Sequence, residues 1–350
     1  MRYRAVLRAA DWEAALVGSV IVHDVRDAQG SVRIPKGRTI DQEDVGHLQA
    51  LEWRELHIAE LGPEDVHEDA AGARLACAAA GDGVQVGERA AGHWPLTATR
   101  RGIVDVAIDR LRSVNACEGL SVYTLFHGHI VDIGESVARA KITPFAIPLE
   151  VLEPALAAAS AAGGLVRVRP FRPTRVGAVV RQSLGARNPT MVDKFATALR
   201  EKLGWLGAEL LPLAVVDEEC DVIKAALETL LVRGAGVIVV AGTRAMDEVD
   251  PTFVALEQLR AERVRHGVPA HPGSLFWIAR LQGIAVLGLP TCGLFSEATV
   301  FDLVLPRLLC GDQVGAAELA ELGHGGFLTR DMSFRFPPYR PSQRRGELAD

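Results

Sequence analysis

Residues 235–251 read AGVIVVAGTRAMDEVDP, and the class of the protein turns on them. Val237-Ile238-Val239-Val240 is an unbroken β-branched run flanked by glycines, as expected for a strand buried on both faces. Ala241-Gly242 ends the run, a charged loop follows, and Pro251 stands where the first turn of a helix tolerates a missing N–H. Working outward, the same alternation recurs. RVGAVVRQ, the loop SLGARNPT and TMVDKFATALREKLGWLG precede it, followed by AELLPLAVV and DEECDVIKAALETLLVRG. Beyond it lie PTFVALEQLRAERV, a hairpin FWIARLQGIAVLGLP and a last helix around SEATVFDLVLPRLL. The pattern predicts an α/β domain over residues 175–312, a three-layer parallel sheet with helices on both faces.

Residues 1–150 have a different texture and predict an α+β accessory domain. SVIVHDV, the turn DAQG and SVRIPKGRTI read as a hairpin, TIDQEDVGHLQALE as a helix capped by Asp41 or Thr39, and ELHIAEL as a strand. GPEDVHEDAAGARLACAAAG reads as a helix with Glu64, Asp65, Glu68 and Asp69 at its positive end. LSVYTLFHGHIVDIGESVARAKITPFAIP supplies further strands. Residues 151–174 open with the Ala-rich LEVLEPALAAASAAGG, which reads as a connecting helix and linker or equally as a core helix, and residues 313–350 as a partly disordered C-terminal extension.

Composition narrows the function. The 350 residues are 49% hydrophobic and 23% charged, with a formal net charge of −6 and no long basic run, which excludes a nucleic-acid partner. Cys77, Cys117, Cys220, Cys292 and Cys310 lie far apart without a CxxC pair, so neither a disulfide framework nor a zinc site is expected. The N-terminal MRYRAVLRAADWEAALVGSVIV is no convincing signal peptide or membrane span, and a cytoplasmic protein is expected.

In open α/β sheets ligands bind beyond the carboxyl ends of the strands, which directs attention to SLGARNPT, AGTRAMDEVD and GLPTCG. Small residues around Gly242 let a ligand approach the backbone, and Thr243 and Arg244 suit phosphate oxygens. Asp247, Glu248 and Asp250 beside a phosphate suggest an intervening divalent cation, with Asp250 and Asp247 as metal ligands; the alternative is a helix cap at Asp250 and solvated acids. Pro290, Thr291, Cys292 and Gly293 follow a strand and precede a helix, and present backbone N–H groups to an anion. Cys292 is either a nucleophile or a packed, ligand-lining thiol. Pro272, Gly273 and Ser274, with His271, form a turn that reaches the same mouth. Asp193 and Lys194 begin the first helix, where Lys194 faces solvent or phosphate. His127 and His129 have strand spacing and would share one face, as two metal ligands or as an ordinary sheet surface. No GxGxxG or GxxxxGK[ST] motif is present, which disfavours dinucleotide and P-loop readings.

These loops resemble the molybdopterin-binding domain shared by molybdopterin adenylyltransferases and MoeA-type molybdopterin molybdenumtransferases. That family carries SGGxSxGxxD, then PGxP, then GLPGNP before a helix; AGTRAMDEVD, HPGS and GLPTCG stand here in the same order, over about Arg175 to Cys310. Gly242 matches the first glycine, Asp250 the terminal acid, and Pro272-Gly273 and Gly288-Leu289-Pro290 the later motifs. HDVRDAQGSVRIPKGRTIDQEDVGHLQAL resembles the family's accessory module. Thr243 replaces the second glycine, Ala245 the serine, Thr291 a glycine and Cys292 the asparagine, and no PFDNSAMDGYA-like segment is present. The chain therefore resembles a divergent subgroup.

The resemblance implies molybdenum-cofactor biosynthesis or handling, with molybdopterin or adenylylated molybdopterin as ligand, and Mg²⁺ and molybdate as companions. Asp250, Asp247 and Glu248 would be the catalytic acids of a molybdenumtransferase-like enzyme. The lost motif residues favour a non-catalytic carrier, chaperone or regulator instead, whose partner is a molybdoenzyme or a cofactor-pathway protein. A nucleotidyltransferase or pyrophosphohydrolase on the same fold is a third reading, and the resemblance makes a homodimer plausible.

Overall fold

Val237, Val239 and Ala241 lie on one face of their strand, Ile238 and Val240 on the other, and all five are buried. The computed structural model describes residues 1–8, 12–183, 190–243, 248–290, 298–329, 332, 335–337 and 339, with backbone alone at Ala15, Thr243 and Pro290. The chain divides into two compact units: residues 1–100, 104–127 and 132–168 form one, and residues 101–103, 128–131 and 169–350 the other.

The second unit is built on a seven-stranded sheet. Its order is Glu209–Leu210, Arg175–Arg181, Val237–Thr243, Ile284–Pro290, Trp277–Leu281 and Glu262–His266, and Ala214–Val216 also pairs with Arg175–Arg181. The pairs made by Arg175–Arg181 and the pair between Val237–Thr243 and Ile284–Pro290 are parallel. Trp277–Leu281 and Glu262–His266 are antiparallel additions, so the sheet is mixed. The two-residue link Gln282-Gly283, both at positive φ, turns the hairpin at once and leaves no room for a parallel crossover.

Phe195, Leu199 and Leu203 recur every fourth residue along the helix Thr190–Trp205 and bury one stripe of it. They pack with Val300, Phe301, Val304 and Leu305 of the helix Val300–Leu309 against the Val237, Val239 and Ala241 face. Ile223, Leu227 and Leu230 of Cys220–Val232, and Phe253 and Leu256 of Pro251–Gln258, cover the Ile238 and Val240 face. The extension expected after residue 312 begins as structure: Val314, and Leu319 of the helix Ala316–Glu321, join the first of these cores. The disorder expected further on falls largely outside the described residues.

The first unit is α+β. Arg2–Leu7, Glu55–Glu60 and Val20–Ile21 make one antiparallel sheet. Leu120–Thr124, Ser136–Ile142, Trp94–Ala98 and Val84–Val86 make another. The hairpin Val25–Arg26 with Val32–Ile34 and the helix Gln42–Ala50 fall where expected, and Asp41 caps that helix by accepting the Asp44 N–H.

Two local readings differ from the structure, and a third is decided between its two alternatives. Glu64 and Asp65 precede the helix Glu68–Ala79: Asp65–His67 is a strand paired with Ala146–Pro148, and Asp65 accepts the Gly62 N–H at 2.7 Å. His127 and His129 share no strand face, because His127 lies in a turn completed by Gly128 at φ +82°. Leu149–Ser160 packs against the helices Glu68–Ala79 and Ile108–Asn115 and buries Leu152, Ala155 and Ala159, so it is a core helix of the first unit. No helix among the described residues is long and apolar enough to cross a membrane.

Candidate functional site

Parallel pairing brings the motif segments to one edge. Val240 pairs with Gly288, Ala241 with Leu289 and Thr243 with Pro290, so AGT and GLP lie side by side at the carboxyl ends of adjacent strands. The ladder slips between Ala241 and Thr243, where Gly242 takes φ +86°, a conformation that disfavours any side chain. Trp277 pairs with Gly288 across the antiparallel hairpin, so the HPGS turn just before it enters from the same edge. On the other side, Val180 pairs with Ala241 and brings Arg181 to the end of its strand.

Arg181 is buried, its side chain only 4% exposed, and it holds two carboxylates. One terminal nitrogen donates to Asp250 Oδ2 at 2.6 Å and the other to Glu218 Oε2 at 2.6 Å. Asp250 is buried too, and its Oδ1 accepts the Thr252 N–H at 2.9 Å, capping the helix that Pro251 begins. Burial works against the Arg181 charge, but the hydrogen bonds and fields of Asp250 and Glu218 outweigh it and push its pKa above the ordinary value. Burial raises Glu218, yet Ser183 and Arg181 hold its carboxyl below the usual range. Arg181 Nε and Thr252 Oγ1 are buried with no hydrogen-bond partner among the described residues.

The other predicted residues are distributed more widely. Glu248 is exposed and pairs with Arg263 of the outer strand at 3.0 Å, whereas Asp250 is buried against Arg181. It lines a cavity of about 410 Å³ together with Phe253, Leu256, Arg260 and Arg263. Asp193 and Lys194 are exposed on the helix Thr190–Trp205. Gly273 is buried at φ +115°, where a Cβ would meet Val300 at 3.0 Å, and Ser274 is exposed. Arg244, Asp247, Thr291, Cys292 and Gly293, and the side chains of Thr243 and Pro290, lie outside the described residues.

The helix after GLPTCG starts only at Val300, and its first donors are already used. The Pro272 carbonyl accepts the Val300 N–H at 3.2 Å, Thr299 Oγ1 accepts that of Phe301 at 3.2 Å, and the Thr299 carbonyl that of Asp302 at 3.0 Å. An anion bound by that helix's first turn is therefore not what the local geometry offers. Instead Asp302, 1% exposed, accepts Lys202 Nζ at 2.6 Å and the Tyr339 hydroxyl at 3.0 Å on Oδ1, and the Thr299 N–H on Oδ2. Burial, then the Asp302 charge, pushes the Tyr339 phenol well above its ordinary pKa.

Sequence reading missed Arg181, Glu218 and the Lys202–Asp302 pair. One signal was available for Arg181: a charged residue directly continues the apolar run of RVGAVVR, and so must be neutralised from elsewhere if the strand is buried to its end. Among the described residues no three His, Cys, Asp or Glu side chains converge as a metal site.

No family model and no curated protein matches the chain. Among solved structures it is similar to a molybdopterin biosynthesis MoeA protein from Pyrococcus horikoshii, at 15% identity over 89% of this chain and 75% of that one, with a TM-score of 0.32. It is also similar to a molybdenum cofactor biosynthesis protein from Pyrococcus furiosus, at 12% identity, 88% of this chain, 63% of that one and a TM-score of 0.25. The molybdopterin biosynthesis enzyme MoaB from Thermus thermophilus matches 40% of this chain with 98% of its own, at 23% identity and a TM-score of 0.31.

Proposed function

We propose that the C-terminal unit binds molybdopterin or adenylylated molybdopterin at the carboxyl edge of its parallel strands, and that the protein serves molybdenum-cofactor biosynthesis or handling. The observation that carries this reading is the register that sets Ala241-Gly242-Thr243 against Leu289-Pro290, with the HPGS turn entering beside them. Segments far apart in sequence, each matched to a family motif, converge on one edge, the position at which α/β sheets bind ligands. On this reading Gly242, Thr243 and Arg244 meet the phosphate from one strand end and Pro290 to Gly293 from the next. Pro272, Gly273 and Ser274 border the mouth, and Asp193 and Lys194 flank it.

Binding without turnover is favoured over molybdate insertion by one specific contact. Asp250, the motif's terminal acid, is buried and holds the Thr252 N–H on one oxygen and Arg181 on the other, the contacts of a helix cap and an ion pair. A carrier of this kind would pass its ligand to a molybdoenzyme or another cofactor-pathway protein. Mass spectrometry of full-length protein purified from a molybdenum-replete host is expected to show a pterin, unaltered on incubation with molybdate. Well-folded protein carrying no pterin would refute binding; conversion of adenylylated molybdopterin would replace the carrier with an enzyme.

A further inference from the structure

The acids of the AGTRAMDEVD loop suggested a divalent cation at this mouth, and Asp250 is the suggested metal ligand that the structure describes in full. Its surroundings do not fit such an ion. Mg²⁺ takes oxygen donors in near-octahedral geometry and keeps several waters, so it needs a carboxylate oxygen open to a hydrated cation. Asp250 is only 8% exposed, and each oxygen already holds a donor, Oδ1 the Thr252 N–H and Oδ2 Arg181 at 2.6 Å. The nearby carboxylate of Glu218 is bound by the other terminal nitrogen of the same guanidinium. A metal on Asp250 Oδ2 would stand within about 5 Å of a charge that cannot be titrated away, a strongly repulsive arrangement in a shielded interior. Glu248, the other described acid of the loop, is engaged with Arg263.

We propose that Arg181 is the resident cation of this mouth, occupying the place between Asp250 and Glu218 that a divalent metal would otherwise take. Two carboxylates converge on one buried positive group, the charge arrangement that commonly recruits a metal ion, but the guanidinium supplies the charge from within the chain. It also retains a buried Nε–H without an acceptor among the described residues. Asp250 is then closed to Mg²⁺, and a ligand arriving at the strand ends meets a fixed guanidinium. The exclusion of metal stands on these contacts alone; only the nature of the arriving ligand rests on the function proposed above.

Mn²⁺ alone is the probe, followed by electron paramagnetic resonance of free ion against full-length protein at pH 8. The wild-type protein and Asp250→Asn are expected to give the same binding curve, because Asp250 is unavailable. Arg181→Met, which leaves the two carboxylates facing each other, is expected to gain a Mn²⁺ site at least about tenfold tighter than any wild-type binding. Adding Asp250→Asn to Arg181→Met is expected to abolish that gain. Loss of wild-type Mn²⁺ binding on Asp250→Asn would overturn the proposal, as would a folded Arg181→Met protein that binds no more Mn²⁺ than wild type. If Arg181→Met does not fold, the wild-type and Asp250→Asn curves still decide: coincidence upholds the proposal and divergence refutes it. None of these outcomes depends on whether a pterin co-purifies, so a failure here is distinct from a failure of the functional reading.

Discussion

At the scale of single residues, Glu218 reports on the buried charge network from its solvent side. Its side chain is 39% exposed, so water screens the pair with Arg181 and the contribution to stability is modest. The sign follows from linkage: the folded carboxyl is held below its ordinary value by Ser183 and Arg181, against the opposing effect of burial. Its stabilisation is therefore fully present above the unfolded pKa and is lost as the pH falls through the lowered folded value. Thermal melts of wild type and Glu218→Gln, from about pH 8 down to about pH 3, are expected to be furthest apart at neutral pH and to converge in acid. A constant gap across that range would mean that the glutamate contributes through packing and not through charge. The Arg181 network was hard to read locally because its members come from three separate segments. Each carboxylate is an ordinary acid until the fold places a buried guanidinium beside it.

At the scale of elements, the sheet was the most legible part of the molecule. Apolar runs with glycine at both ends, and helices with apolar residues every fourth position, state their burial in one dimension. The two-residue Gln282-Gly283 link made the hairpin equally plain. Asp65–His67 was obscure because three residues are too few to show a period, and its acids imitate the start of the helix that follows. Gly288 shows how a motif residue can have a packing reason. Quoted as the first letter of GLP, it stands beneath the buried Trp277 indole, and a Cβ there would overlap the ring. Gly288→Ala is expected to destabilise the protein by about 1–3 kcal/mol, the usual range for overpacking, in a denaturant titration. Combining it with Trp277→Leu should recover part of the loss caused by the added methyl, because the ring it strikes is gone. If Gly288→Ala is neutral in both backgrounds, the glycine is retained for something other than the indole.

At the scale of the whole molecule, the chain does not divide at one point. The boundary near residue 168 falls inside the segment read as a linker, and the second unit also takes in residues 101–103 and 128–131 from the first half of the chain. Ile103 and Ile130 from those excursions pack with Cys310 in one buried cluster. Such borrowing has no sequence signature, since each excursion is only three or four residues long and belongs locally to its neighbours. It has a chemical readout. Burial pushes the Cys310 thiol up to about 11 against the opposing charge of Arg169, so at neutral pH it is protonated and shielded from alkylating reagents. Removing the isoleucines opens the cluster. Ile103→Ala and Ile130→Ala in the full chain are expected to raise the alkylation rate of Cys310 at pH 8 by about tenfold or more, measured on its own peptide by mass spectrometry. Cys77, exposed in the first unit, serves as an internal control whose rate should not change. Equal protection of Cys310 in wild type and both variants would show that the C-terminal segment shields its thiol unaided. The excursions would then be incidental to the second unit's core, and a chain cut at residue 169 would be expected to retain it.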